Sequence, residues 1–318
     1  MGYLRIFTII VFVFPLAWEQ NITDDEPWGY FGNNGPANWP SINSACAGQR
    51  QSPINIQAKQ AQGKKYDPFV LHDYNTTNAT LLLRNVGYTV QIDFSGPPMR
   101  VTGGGLDGDY ITIQLHLHWG KTSSNGSEHT LEGKAYPMEL HVAAYKATYE
   151  NPLVALDKAD GIAALGFFVE IGNTTQKGLE IMADALPQVV QNGTSAAMTP
   201  FKLEDFLPPN LKNFYRYDGS FTTPTCNESV IWTVFTDTIT ITEEKLAEFR
   251  KLQSVEMNDN GDYNMYDIFR PPQRLGSRVL YSSFGPYRPD PPSGTQKSNP
   301  LTFSLFILLA TMNLLITT

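Results

Sequence analysis

Cysteine and histidine are scarce: 2 and 5 among 318 residues, so any site built from them uses most of the supply. Positive charge is also short, with 23 Lys and Arg against 31 Asp and Glu and a net charge of −8. Without a basic surplus or a Lys/Arg cluster, no nucleic-acid partner is expected. Residues 27–285 contain no Gly/Ser linker, internal repeat or block of like charge to mark a second domain. A composition 42% hydrophobic and 17% charged excludes a disordered or coiled-coil chain, and the length suits one large domain.

The two ends read as processing signals. Residues 1–17 carry Arg5, an apolar run over 6–14 and the small Ala17, the pattern of a cleaved secretory signal peptide. The run is far short of the roughly 20 residues a membrane span needs. Residues 286–300 form a small, polar linker with Ser293 or Gly294 as the candidate attachment residue. Residues 301–318 are hydrophobic, as in a glycosylphosphatidylinositol signal. The competing reading of that tail is a membrane span, against which stand Asn313 and the lack of a following Lys or Arg. These features place the protein on the extracellular side of the plasma membrane, lipid-anchored or secreted. Sequons at Asn21, Asn75, Asn78, Asn125, Asn173, Asn192 and Asn227 fit an exported glycoprotein. Asn125 is of special concern, since a glycan there would sit three residues before Glu128. In an oxidising compartment Cys46 and Cys226 are expected to pair, the alternative being two unrelated buried thiols.

Period-2 apolar runs dominate the domain, at residues 80–83, 89–94, 110–119, 138–145, 163–171 and 229–241. Helical periodicity is confined to 178–186 and 242–252, the latter with Thr242 as N-cap. The fold class is therefore mainly β with short peripheral helices.

The chemistry concentrates on two of these runs. In a strand, Gln114, His116 and His118 share one face while Leu115, Leu117 and Trp119 share the other. The later run puts Glu139, His141 and Ala143 on one face. Antiparallel pairing through the connection over 120–137 would bring a third imidazole to the first two. Three neutral histidines with an open fourth position are the ligand set of a catalytic zinc ion. A lone His-x-His is more often a pair of half-buried polar residues, but Gln114 and Glu139 each stand two positions from a histidine, where they can take its spare ring N–H. A cupin-like site would want a Glu soon after His-x-His, and Lys121, Thr122 and Ser123 stand there instead. Thr222 and Glu128 are the right residue types for a relay in which a hydroxyl accepts one proton and donates its own to a carboxylate.

Taken with Trp28-Gly29-Tyr30, Gln51-Ser52-Pro53, Gly126-Ser127-Glu128-His129, Thr222-Thr223-Pro224 and Arg270-Pro271-Pro272-Gln273, these motifs resemble the α-class carbonic anhydrases, in family order along the whole domain. The tail resembles the membrane-bound, lipid-anchored branch. The resemblance implies one twisted, mostly antiparallel sheet of about ten strands and a conical cleft ending at zinc. It implies reversible hydration of carbon dioxide to bicarbonate and a proton by zinc hydroxide chemistry. By position, His116, His118 and His141 become the zinc ligands, Thr222 the residue that orients the nucleophile and Glu128 its partner. Gln114, Glu139, His129 and Tyr217 become the groups behind the ligands; Ala143, Ala164, Phe221 and Trp232 line the carbon dioxide pocket beside Thr223. Cys46 and Cys226 match the disulfide of the secreted and membrane-bound members. Tyr88 stands where fast members carry a proton-shuttle histidine, and a phenol of unperturbed pKa near 10 is unsuited to that task at neutral pH. His72 falls outside the motifs and reads as an exposed loop residue. A monomer is expected, with bicarbonate transporters as partners. The rival function is a catalytically silent binding or adhesion module of the same fold, whose usual mark is a lost ligand histidine.

Overall fold

The computed structural model describes residues 28–285. The leader over 1–17, Asn21, Ser293, Gly294 and the tail over 301–318 lie outside the described residues. No helix among the described residues is long and apolar enough to cross a membrane.

A twelve-stranded sheet forms the scaffold. Its middle is β4 (Thr80–Asn85), β5 (Val90–Ser95), β7 (Tyr110–Trp119), β9 (Met138–Lys146), β10 (Ile162–Ile171), β13 (Val230–Ile241) and β12 (Phe214–Gly219), side by side in that order. β11 (Ser195–Ala197) extends one edge, and β14 (Leu280–Ser282) with β2 (Ala61–Gly63) extends the other. The expected ten strands make this continuous path, while β3 (Val70–His72) and β6 (Arg100–Thr102) attach beside β7. Pairing is antiparallel except for β10 with β13 and β14 with β2. A separate parallel pair joins β1 (Asn55–Ile56) to β8 (Thr130–Leu131).

Alternation decides which face each residue serves. Leu115, Leu117, Trp119, Leu140, Val142 and Leu165 enter the larger core. That core is capped by α3 (Lys177–Ala185) through Leu179 and Met182, and by α4 (Glu243–Phe249) through Leu246 and Phe249. Ile162, Ala164, Phe168, Val230 and Trp232 belong to a second cluster on the opposite face. Thr242 caps α4 by accepting the Lys245 N–H at 3.3 Å. The one- and two-turn elements, α1 (Trp39–Ile42) and α2 (Pro152–Ala155) among them, carry too few residues to show a period. His72 is exposed as expected, but it ends β3 rather than lying in a loop, and its Nε2 pairs with Thr102 Oγ1 across the β3–β6 ladder.

Cys46 and Cys226 form a disulfide, with sulfurs 2.05 Å apart and a sequence separation of 180. For so long a loop the chain-entropy estimate of stabilisation is about 5 kcal/mol.

Candidate metal centre

β7 and β9 pair antiparallel with His116 directly opposite His141 and His118 opposite Glu139. The three imidazoles converge, with ring centroids 5.1, 5.0 and 4.9 Å apart. His118 and His141 are fully buried, and His116 faces the cavity.

Each ring has one nitrogen committed. His116 Nδ1–H donates to Gln114 Oε1 at 2.9 Å, and His141 Nε2–H donates to Glu139 Oε1 at 2.8 Å. These are the two partners that the spacing in sequence predicts. His118 Nδ1–H donates instead to the Ile268 carbonyl at 2.7 Å, a backbone acceptor with no sequence signal. Behind His141, His129 donates its Nδ1–H to Glu139 Oε1 at 2.6 Å and its backbone N–H to Oε2 at 2.8 Å, while its Nε2 pairs with the Tyr217 hydroxyl at 2.6 Å. Burial raises the pKa of Glu139, but the His129 and His141 rings outweigh it and hold the carboxyl well below its usual range. Burial, with the neighbouring imidazoles, pushes His116 well below the usual histidine value; burial also lowers His118, against an opposing pull from Glu128.

What remains is three bare nitrogens facing one another. His116 Nε2 and His141 Nδ1 stand 3.2 Å apart, and the ligand atoms of all three rings lie within 4.8 Å of one another. His118 Nε2 is buried without a hydrogen-bond partner among the described residues, as is Glu128 Oε2 at 3.4 Å from it. One shared proton could satisfy a single pair of these lone pairs; a divalent cation satisfies all three rings. Neutral imidazoles with their other N–H groups already held are the form that zinc binds, so the residues fit the metal.

The cavity above these rings has an apolar wall of Ala143, Ala164, Phe221 and Trp232, extended by Ile162 and Val230. Ala143 and Ala164 are direct partners across β9 and β10. Thr222 and Thr223 line the same space, and Tyr88 stands in its wall with Trp28. Glu128 is fully buried, but no hydrogen bond joins it to Thr222: Oε1 takes the Arg270 backbone N–H at 2.9 Å and Oε2 has no partner among the described residues. The Arg270 contact is a second one that sequence reasoning missed, again because it is made by backbone. The Arg270 guanidinium is buried too, donating to Gln51 Oε1 and the Ser52 and Cys46 carbonyls, and burial lowers its pKa to about 10.

Asn75, Asn78, Asn125, Asn173 and Asn192 are exposed. Asn125 does not line the cavity despite its nearness to Glu128 in sequence. Asn192 does not line it either, although a Cβ on Gly87, the neighbour of Tyr88, would fall 2.5 Å from its Oδ1. Asn227 is half-buried, with its Nδ2 donating to the Leu156 carbonyl at 3.4 Å and its Oδ1 accepting from Thr225.

Comparison with known proteins identifies relatives over most of the chain. Carbonic anhydrase 7 of Mus musculus is 38% identical over 268 residues, covering 83% of this chain and 99% of its own. Carbonic anhydrase 4 of Mus musculus is 33% identical over 289 residues, 87% of this chain and 91% of its own. The same-named protein of Oryctolagus cuniculus is 36% identical over 252 residues, 78% of this chain and 80% of its own. With the family model for eukaryotic-type carbonic anhydrase matching residues 34–284, from ahead of α1 to beyond β14, the chain belongs to that family.

Proposed function

We propose that the protein catalyses the reversible hydration of carbon dioxide to bicarbonate and a proton, with a zinc ion held by His116, His118 and His141. The observation that carries this is the convergence of three bare imidazole nitrogens beneath a cavity with an apolar wall. When bound, zinc supplies Lewis acidity that makes water a nucleophile near pH 7. Gln114, the Ile268 carbonyl and Glu139 hold the imidazoles in the required tautomers. Ala143, Ala164, Phe221 and Trp232 exclude water and give an apolar substrate a resting place beside the metal, with Thr223 at its edge. Glu128 Oε2 is the acceptor available to the Thr222 hydroxyl, which then presents its own oxygen to the nucleophile and fixes its direction. Tyr88 does not relay protons at neutral pH, so the product proton leaves by way of external buffer.

The disulfide supports an oxidising compartment, and the exposed sequons support glycosylation there. The protein thus works as a monomer on the extracellular side of the plasma membrane, lipid-anchored through Ser293 or Gly294 or else secreted, and supplies bicarbonate transporters. A silent binding module is disfavoured because all three ligand histidines and their hydrogen-bond partners are present.

The test is carbon dioxide hydration by the domain ending before Ser293, at low and high imidazole, with zinc measured on the same sample. Rapid hydration that rises with buffer is expected. Zinc present without hydration would favour the binding module, and equal rates at both buffer concentrations would remove the assignment of Tyr88.

A further inference from the structure

Three segments remote in sequence meet at the mouth of the cavity. Trp28 stacks on Tyr88, with ring centroids 4.0 Å apart and planes 17° from parallel, and both rings line the cavity. Tyr88 sits in the turn between β4 and β5, next to Gly87 at φ +84°. The Gly87 carbonyl accepts the Val255 backbone N–H at 3.1 Å and the Ser254 hydroxyl at 2.8 Å. The next residue, Glu256, holds the backbone that follows Trp28. Its Oε1 accepts the Tyr30 backbone N–H at 2.5 Å, and the Phe31 N–H bonds the same carboxylate. A Cβ on Gly29 would lie 2.0 Å from Glu256 Oε2, so a side chain there has to displace the carboxylate. On the other side, Trp39 Nε1–H donates to the Gly29 carbonyl at 2.9 Å.

Burial, with Asp259 on the same loop, leaves the Glu256 pKa raised, because the Tyr30 and Phe31 N–H groups offset only part of it. A half-buried acid held by two backbone donors fixes the path of the segment that carries them more firmly than a neutral contact would.

We propose that Glu256 is a positioning residue of the cavity mouth: through the backbone of Tyr30 and Phe31 it fixes Trp28 as the backing for Tyr88, and so sets the opening through which proton carriers pass. The proposal rests on the carbon dioxide hydration reading and concerns proton export, not the chemistry at the histidines. Residues 254–256 thereby tie both halves of the aromatic wall to one short segment.

Two variants loosen the latch from opposite sides. Glu256→Gln keeps the shape and replaces one acceptor oxygen with a donor; Gly29→Ala drives the carboxylate away from its N–H partners. The first readout is 19F NMR of fluorotyrosine-labelled protein, with Tyr88→Phe to assign the resonance. Stacking gives Tyr88 a ring-current shift, and both variants are expected to reduce it. The second readout is carbon dioxide hydration with imidazole and with a bulky sulfonate buffer. Rescue of kcat by the bulky buffer is expected to rise about threefold in each variant, with kcat/KM within about twofold of the parent, as for a change in gating alone. In a Tyr88→Ala background Glu256→Gln is expected to add nothing further to either buffer response.

An unmoved Tyr88 resonance overturns the proposal. So does a fall of kcat/KM and both buffer responses together, or a full effect of Glu256→Gln without the Tyr88 ring. If the parent protein binds zinc yet hydrates no carbon dioxide, the functional reading fails, while the NMR result still decides whether Glu256 holds the stack.

Discussion

The floor of the cavity and its mouth are built by opposite means. The floor is made of adjacent strands: His116, His118 and His141 stand on β7 and β9 in direct register, and two of the three take their hydrogen-bond partners from two residues away. The mouth is made of loops, with Trp28, Tyr88 and Glu256 brought together from three distant segments by a ring stack and by bonds to backbone. Strand register fixes positions through a ladder of hydrogen bonds, so the floor tolerates little change. The mouth depends on a few contacts, and its residues can alter access without altering the site beneath. This contrast separates binding and chemistry from proton export.

The sharpest way to break the contrast is at the floor. His118→Ala removes one of the three proposed ligands, and metal affinity is expected to fall by more than about a hundredfold, beyond the range for groups behind ligands. Zinc content after dialysis and hydration rate on the same sample check this; activity retained without zinc would show that the floor is not the metal site. Glu139→Gln leaves the ligands but weakens the carboxylate that holds His141 and His129, for an expected loss of about 10–100-fold in zinc affinity. Competition with a chromophoric chelator measures it.

A change at the mouth should act differently. Tyr88→His supplies a group that titrates near neutral pH, and kcat in dilute buffer is expected to rise roughly tenfold while kcat/KM and zinc affinity stay put. Stopped-flow hydration across a buffer series reads this, and a matching rise in kcat/KM would erase the division between mouth and floor. The smallest effect belongs to a position in neither region. Thr242→Ala removes the cap of α4 at a cost of about 1 kcal/mol by denaturant titration, with hydration unchanged. That comparison is best made at neutral pH, because hydrogen bonds from Ser123 and Arg250 hold the neighbouring Glu243 below its ordinary pKa of 4.5. A depressed carboxyl stabilises the fold above its unfolded pKa, and that share is lost as pH falls through the lowered value.

The floor was legible in the chain because a strand repeats every two residues. His116 and His118 on one face, His141 on the neighbouring run, and Gln114 and Glu139 two positions away all follow from that period, and the family motifs point to the same residues. The long strands and α3 and α4 were legible for the same reason. The short strands β3, β6, β11 and β14 were not, since three residues show no period. Nor was the support of His118 and Glu128 by the Ile268 carbonyl and the Arg270 N–H, because every residue carries those backbone atoms.

By itself the sequence determined the class of the fold, the three converging histidines and two of their hydrogen-bond partners, since each depends on local spacing along a strand. Only the tertiary structure decided that Trp28 would lie on Tyr88, that Glu256 would take the N–H of a residue 226 positions away, and that Asn192 would come up against Gly87. Contacts between distant loops follow from how the twelve-stranded sheet and the Cys46–Cys226 disulfide bring chain segments together, and no local period records that outcome.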